Sequence, residues 1–255
     1  MKIATWNVNS IRARKEHLLS WLEEASVDVA CLQETKVTDD DFPWEEIEKA
    51  GYSSVHRGQR AYNGVAIVSR HDVSDVVMSF GDSKPDEQSR LIAATIKGVR
   101  VICVYVPNGQ STESDKYQYK IDWLARLREF LDRKCSTDDP LVLCGDFNVA
   151  PDNRDVYDPE RFGEGILCSP AERSALKRIV SWGLTDIFRH FEDGPGHYSW
   201  WDYRMQGFKR NRGLRIDHLY VTDTLRSRCV ECSIHRDIRA RKTPSDHAPV
   251  VLSLS

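Results

Sequence analysis

Six short motifs set carboxylates, carboxamides or an imidazole directly beside apolar runs. They are Trp6-Asn7-Val8-Asn9, Gln33-Glu34-Thr35, Tyr105-Val106-Pro107-Asn108, Gly145-Asp146-Phe147-Asn148, Arg215-Ile216-Asp217-His218 and Ser245-Asp246-His247. A carboxylate at a buried strand end is costly unless it is paired, hydrogen-bonded or bound to a cation. Asn and Asp are also ordinary turn and cap residues, which would explain any one motif taken alone. Several such loops together weaken that explanation, because clustered acids without a cation repel one another. Oxygen donors from Asp, Glu and Asn suit Mg²⁺, with Mn²⁺ as a substitute, and both ions keep waters and bind phosphate oxygens. Thiolate or multi-histidine ligation appears in none of these motifs. The chemistry implied is metal-assisted attack of water on phosphorus, where positioning and charge neutralisation supply most of the acceleration.

These side chains need elements to hold them. Apolar runs of strand length recur at Lys2–Asn7, Val27–Gln33, Gly64–Ser69, Leu91–Ile96, Val99–Val106, Leu141–Cys144, Tyr198–Trp201, Ile216–Val221 and Val250–Leu254. Most are β-branched and bounded by polar residues, Gly or Pro, as strands are. Helical spacing appears over Lys15–Glu24, through Leu18, Leu19 and Leu22, and over Lys116–Leu131, through Ile121, Leu124, Leu127 and Leu131. Ser169-Pro170-Ala171-Glu172 is a capping box with Pro in the first turn, opening a third helix through Leu176 and Ile179. Several strands are apolar on both faces, so the expectation is an α/β fold in which packed sheets are flanked by helices. No linker or repeat divides the 255 residues, and they read as one domain.

Composition narrows the class. No apolar run approaches the roughly 18 residues of a membrane span. The first residues read as a strand rather than a signal peptide, and an odd count of seven cysteines favours free thiols, so a cytoplasmic protein is expected. Cys229-Val230-Glu231-Cys232 reads as strand packing rather than a metal or redox motif, having no second pair to complete a zinc set. The net charge of −3 hides an asymmetry: from residue 201 onward 11 Lys/Arg face 6 Asp/Glu, against 25 and 33 before it. Two basic clusters, Arg204 to Arg215 and Arg236 to Lys242, suggest a polyanion gripped at its rim.

The motifs, taken in order, resemble the exonuclease III family of abasic-site endonucleases, within the endonuclease/exonuclease/phosphatase superfamily. The resemblance runs through Thr5–Asn9, Leu32–Lys36, Tyr62–Ala66, Gly145–Asn148, Ser199–Arg204, Gly213–Asp217 and Pro244–Pro249, covering essentially the whole chain. It implies a four-layer α/β sandwich of two mainly antiparallel sheets flanked by helices, with the site at one sheet edge. Glu34 matches the principal metal ligand, with Asn7, Asp146, Asn148 and Asp246 as the other metal-site residues. Asp146 matches the group that activates water or protonates the leaving oxygen, and Asn148 the one that stabilises the transition state. His247 matches the phosphate-contacting imidazole, Asp217 its orienting carboxylate and Tyr105 the active-site tyrosine. Asn9 stands where some relatives carry Asp and is left out of the metal set. His218, opposite in strand phase to Asp217, is read as structural.

The same resemblance implies DNA contacts. Trp200, Leu214 and Ile216 match the apolar lining of a pocket for a sugar without its base, Asn108 a phosphate or sugar contact, and Arg204 a side chain wedged into the duplex. Strand alternation sends one of Trp200 and Trp201 inward, and the pocket is assigned to Trp200. The expected activity is Mg²⁺-dependent cleavage 5′ to abasic sites in double-stranded DNA by a monomer. Cleaning of blocked 3′ ends and 3′→5′ exonuclease action are secondary. The segment Pro151–Pro170 departs from the family, and Tyr157, Arg161, Phe162 or Glu164 there would restrict which DNA ends enter. A 3′-phosphatase or exonuclease with little abasic cleavage is therefore the alternative. The Trp200–Arg204 and Asn211–Asp217 segments speak against a lipid or inositol phosphatase, and a silent DNA-binding module would have no use for the acids.

Overall fold

The computed structural model describes residues 1–84 and 88–255. In chain order its strands are β1 (Lys2–Asn7), β2 (Val29–Gln33), β3 (Ser53–Arg57), β4 (Val65–Ser69), β5 (Ser74–Val77), β6 (Leu91–Ile96), β7 (Val99–Tyr105), β8 (Leu141–Asp146), β9 (Leu184–Asp186), β10 (Asp217–Thr222), β11 (Cys229–Ile234) and β12 (Val250–Leu254). The helices are α1 (Ile11–Glu24), α2 (Trp44–Lys49), α3 (Asp115–Lys134), α4 (Pro159–Phe162), α5 (Pro170–Val180), α6 (Ile187–Phe191), α7 (Asp223–Arg226) and α8 (Arg236–Arg239). No described helix is long and apolar enough to cross a membrane.

The strands form two six-stranded sheets, ordered β11-β12-β1-β2-β4-β3 and β5-β6-β7-β8-β10-β9. Each sheet has one parallel pair at its centre, β1 with β2 and β7 with β8, and is otherwise antiparallel. A parallel pair needs a long crossover, and α1 and α3 supply the two. Along β2, Val29 and Cys31 face the other sheet, while Ala30 and Leu32 face the α1 side with Leu18, Trp21 and Leu22. On β8, Val142 and Cys144 meet the inner core, whereas Leu141 and Leu143 pack with Leu124, Leu127, Leu176 and Ile179 of α3 and α5. Period-two alternation on strands covered on both faces yields three apolar layers between four layers of structure. This is the α/β sandwich that the sequence implies.

Ser114 caps α3 by accepting from the amide of Tyr117, and Ser169 with Glu172 forms the full capping box of α5. Eight of the nine expected strand runs overlap strands. The ninth, Tyr198–Trp201, is corrected: it forms no strand. Trp200 makes single bridges to Leu214 and His247, because these neighbours cross the segment at one residue instead of running beside it. All seven cysteines are free; Cys232 lies in the core between the sheets, and Cys229 packs against it with its thiol near the carbonyl of Leu225.

The topology decides where the chemistry gathers. The carboxyl ends of β1, β2, β7 and β8 carry Asn7, Gln33, Tyr105 and Asp146, with register pairs Asn7–Gln33 and Tyr105–Asp146. Strand β10 runs antiparallel to β8, so its first residue, Asp217, lies opposite Asp146. Strand β12 runs antiparallel to β1, which brings the preceding loop, with Asp246 and His247, to the same edge.

Candidate active site

Asp146 is the hub where the two sheets meet. Its Oδ2 accepts from Nδ2 of Asn7 at 2.9 Å, and the same amide donates to Oε1 of Glu34 at 2.8 Å. One carboxamide thus bridges a carboxylate from each sheet. The other oxygen, Oδ1, accepts from the backbone amide of Asn148 at 2.9 Å. Gly145 permits this approach: its φ is 150°, and a Cβ there would stand 1.9 Å from the carbonyl oxygen of Val104. Across from Asp146, Nε2 of His247 lies 3.8 Å away, while its Nδ1 contacts Oδ2 of Asp217 at 2.8 Å. Oδ1 of Asp217 is buried without a hydrogen-bond partner among the described residues.

The electrostatics follow from this crowding. Burial, with the charges of Asp217 and Glu34 added, pushes Asp146 up to about 7, although His247 and Asn7 pull the other way. Burial alone would lower His247, but Asp217 and Asp146 outweigh it and carry the imidazole up to about 10, so it is a cation at neutral pH. Burial opposes the charge on Glu34, yet Lys36 and Asn7 hold it below the usual carboxylate range. Burial and then the charges of Glu34 and Asp146 keep Tyr105 well above its ordinary value, so its hydroxyl stays a donor.

Glu34, Asp146 and His247 each offer a donor atom within 4.8 Å of the others. The two carboxylates suit a hard divalent ion, which binds through oxygen. The remaining expected metal residues are placed differently. Asn7 gives Nδ2 to the carboxylates, and its Oδ1 accepts from the amide of Asn9 at 3.0 Å. Oδ1 of Asn148 accepts from Nδ2 of Asn108 at 3.0 Å. Asp246 stands outside the trio: Oδ2 accepts from Nε1 of Trp200 at 3.0 Å, and Oδ1 from Nδ2 of Asn9 at 2.8 Å. A hydrogen-bonded relay joins it to the centre, since Lys36 donates to Oδ1 of Asn9 at 2.5 Å and pairs with Oε2 of Glu34 at 2.6 Å. Sequence reasoning did not single out Lys36 or Asn9 for this work, although both lie inside quoted motifs.

Beside the centre opens a cleft of about 780 Å³, lined by Tyr157, Arg161, Phe162, Ile166, Trp200 and Arg204 among others. Trp200 forms its wall and Trp201 is fully buried, so the pocket falls to Trp200 as assigned, although the segment is not a strand. Leu214 and Ile216 are buried too, in a cluster with Val156 and Leu167 against which Trp200, Phe162 and Ile166 pack. They are the floor under the wall and not its surface. Arg204 is exposed and paired with Asp202 at 2.7 Å. The basic rim is smaller than charge counting suggests. Arg215 is buried between Asp155 and Asp186, at 2.6 and 2.7 Å. Arg236 and Arg239 lie over Trp201, Phe208 and Tyr203, and Arg241 pairs with Glu24 at 2.5 Å. His218 is structural as expected: it bonds Arg215 at 3.0 Å and the carbonyl of Val149 at 2.9 Å.

Residues 4–247 match the endonuclease/exonuclease/phosphatase family. The chain belongs to that family. Within it, the exodeoxyribonuclease III of Haemophilus influenzae is 36% identical over 98% of each chain, and the exodeoxyribonuclease of Bacillus subtilis 34% over all of both. An AP endonuclease from Archaeoglobus fulgidus superposes with a TM-score of 0.97 at 39% identity, covering 100% of this chain and 99% of the other. The 3′ phosphatase NExo from Neisseria, bound to a product DNA hairpin, gives 0.96 at 41%, with the same coverage. This member of the endonuclease/exonuclease/phosphatase family is accordingly a hydrolase of the exodeoxyribonuclease III branch.

Proposed function

We propose that this hydrolase repairs DNA, cutting the backbone 5′ to abasic sites with Mg²⁺ as cofactor, and that it also cleans 3′ ends and degrades DNA 3′→5′. The observation that carries the reading is the meeting of Asp146 with His247, Glu34 and Asn7 at one edge shared by both sheets. A divalent ion, held by Glu34 and Asp146 with help from the amides and Asp246 around them, would neutralise charge on the phosphate and the departing oxygen. The protein's own groups do the rest. Asp146, fixed by Asn7 and by the backbone amide of Asn148, takes the proton of the attacking water. His247, held charged by Asp217, meets a non-bridging phosphate oxygen, and Asn148 and Tyr105 donate to the charge that develops there. The new P–O bond forms as the bond to the upstream 3′ oxygen breaks; that oxygen takes up a proton from solvent and Asp146 later returns its own proton to solvent, leaving a 3′-hydroxyl and a 5′-phosphate on the abasic sugar. The cleft walled by Trp200 receives the sugar, with Asn108 and Arg204 touching the backbone.

A second reading has its own support. Tyr157, Arg161, Phe162 and Ile166 crowd the cleft from the 151–170 segment, and the similar Neisseria protein carries the name 3′ phosphatase. A narrow cleft would favour 3′-phosphate ends over an internal abasic sugar. End-labelled duplexes carrying either one abasic analogue or a 3′-phosphate nick, incubated with Mg²⁺ or chelator, test both readings. Mg²⁺-dependent incision 5′ to the analogue supports the first; phosphate release without incision supports the second; inertness of both substrates refutes the two together.

A further inference from the structure

Under the site lies an ion pair that the chemistry does not touch. Lys120 on α3 and Glu172 in the first turn of α5 are both wholly buried and paired with each other. The ammonium also donates to the main-chain carbonyls of Asn148 at 2.6 Å and Asn108 at 3.2 Å. Its three donors therefore have three acceptors. Asn148 is in the left-handed region, with φ 50°, so its backbone is held where a free chain would rarely place it. Its side chain is fixed as well, donating to the carbonyl of Val106 at 3.0 Å and accepting from Asn108.

The other half of the pair faces the cleft segment. Oε1 of Glu172 accepts from the amide of Leu167 at 3.1 Å, and Oε2 from the amide and hydroxyl of Ser169 at 3.0 and 2.7 Å. Capping α5 requires only Glu172 and Ser169. A buried cation is a poor way to gain stability, because an apolar pair of the same volume does as well. What the ammonium adds is aim: two loop carbonyls, each from a residue with a carboxamide in the site, converge on one charge.

We infer that Lys120 and Glu172 form a positioning pair, which sets Asn148 and Asn108 under the scissile phosphate and ties them to the end of the 151–170 segment through Leu167. The inference rests on the reading that Asn148 meets the phosphate in the transition state.

The test is a double-mutant cycle. Lys120→Met with Glu172→Gln removes the buried charges together, so neither is stranded. Steady-state rates on both DNA substrates are compared in the native and Asn148→Ala backgrounds. In the native background kcat should fall roughly 10- to 100-fold, as for other groups that orient a site residue from behind. KM should hold, and the melting temperature should fall by a few degrees, since the carbonyls of Asn148 and Asn108 lose a donor. In the Asn148→Ala background the paired change should cost little more, because what it aims is gone. Lys120→Gln with Glu172→Gln, which leaves a donor for the loop carbonyls and an oxygen for the cap, should give the same dependence on Asn148 at smaller amplitude, which covers a Lys120→Met double variant that fails to fold. Losses that add in full across a crippled Asn148→Ala overturn the coupling alone. A near-normal Asn148→Ala overturns the role of Asn148 and the coupling with it.

Discussion

Asp217 holds the imidazole of His247 from behind, Oδ2 to Nδ1 at 2.8 Å, and so points Nε2 toward Asp146 at 3.8 Å. Three residues from β8, the start of β10 and the loop before β12 thereby form one line of charge. The line sets both the orientation and the protonation of the ring, and it makes the role of each member testable.

Asp217→Asn should reduce kcat/KM by roughly 10- to 100-fold, the usual range for losing an orienting partner. It should also bring the titration of His247 down from about 10. Imidazole nitrogen shifts followed by NMR from pH 6 to 11 check this. An unchanged ring titration in the variant would mean that Asp217 does not hold the charge.

The same pair makes a stability prediction. The folded value for His247 lies above its ordinary 6.5, so the folded state binds the proton more tightly. The resulting contribution is fully present below pH 6.5 and is lost as pH rises through about 10. His218 has the opposite sign: burial, then the charge of Arg215, pushes it down to about 4. Its contribution is present above pH 6.5 and is lost as pH falls toward 4, by about 3 kcal/mol in all. Denaturant midpoints between pH 4 and 8, with an NMR titration of His218, read this out; a His218 that titrates near 6.5 would contradict it.

Asp146→Asn should cut turnover by about 10²- to 10⁴-fold, the usual contribution of a positioned proton acceptor. The fold should survive, because the one remaining oxygen can still accept from the backbone amide of Asn148, although the bond from Asn7 is lost. Circular dichroism and a single-turnover assay give the two readouts, and near-native cleavage would remove Asp146 from the mechanism.

Phe162→Ala should widen the cleft beside Trp200 and raise abasic incision relative to 3′-phosphate release. Tyr157 and Phe162 pack edge to face at 5.5 Å, so the variant also loosens Tyr157. The ratio of the two initial rates is the measurement. If it does not move, the 151–170 segment is not what selects the substrate.

Asp155→Ala should lower the unfolding free energy by about 3 to 5 kcal/mol, since it strands the buried cation of Arg215. Urea unfolding checks the loss. A change near zero would show that Asp186 alone satisfies Arg215.

Much of this was legible in the sequence, and the illegible parts have physical causes. The buried central strands β1, β2, β7, β8 and β12 are apolar runs because both faces are covered. None of the four edge strands, β3, β5, β9 and β11, is such a run. An edge strand is partly solvated, and β5 shows it with Ser74, Asp75 and Val76 all exposed; only the Cys229–Cys232 spacing hinted at β11. Asp146, Asp217 and His247 were legible because their residue types follow or precede strands that topology brings to one edge. Ion pairing was not. Arg215 reads as part of a basic cluster, yet Asp155 and Asp186, 60 and 29 positions away, bury it. Lys120 reads as one more helix cation, and only three-dimensional contact reveals Glu172 and the two carbonyls.

Anomalous diffraction from crystals soaked in Mn²⁺ tests the central claim most directly. One ion bound within reach of both Glu34 and Asp146 is the predicted result. An ion held by neither carboxylate, or no ion at this edge, would contradict it.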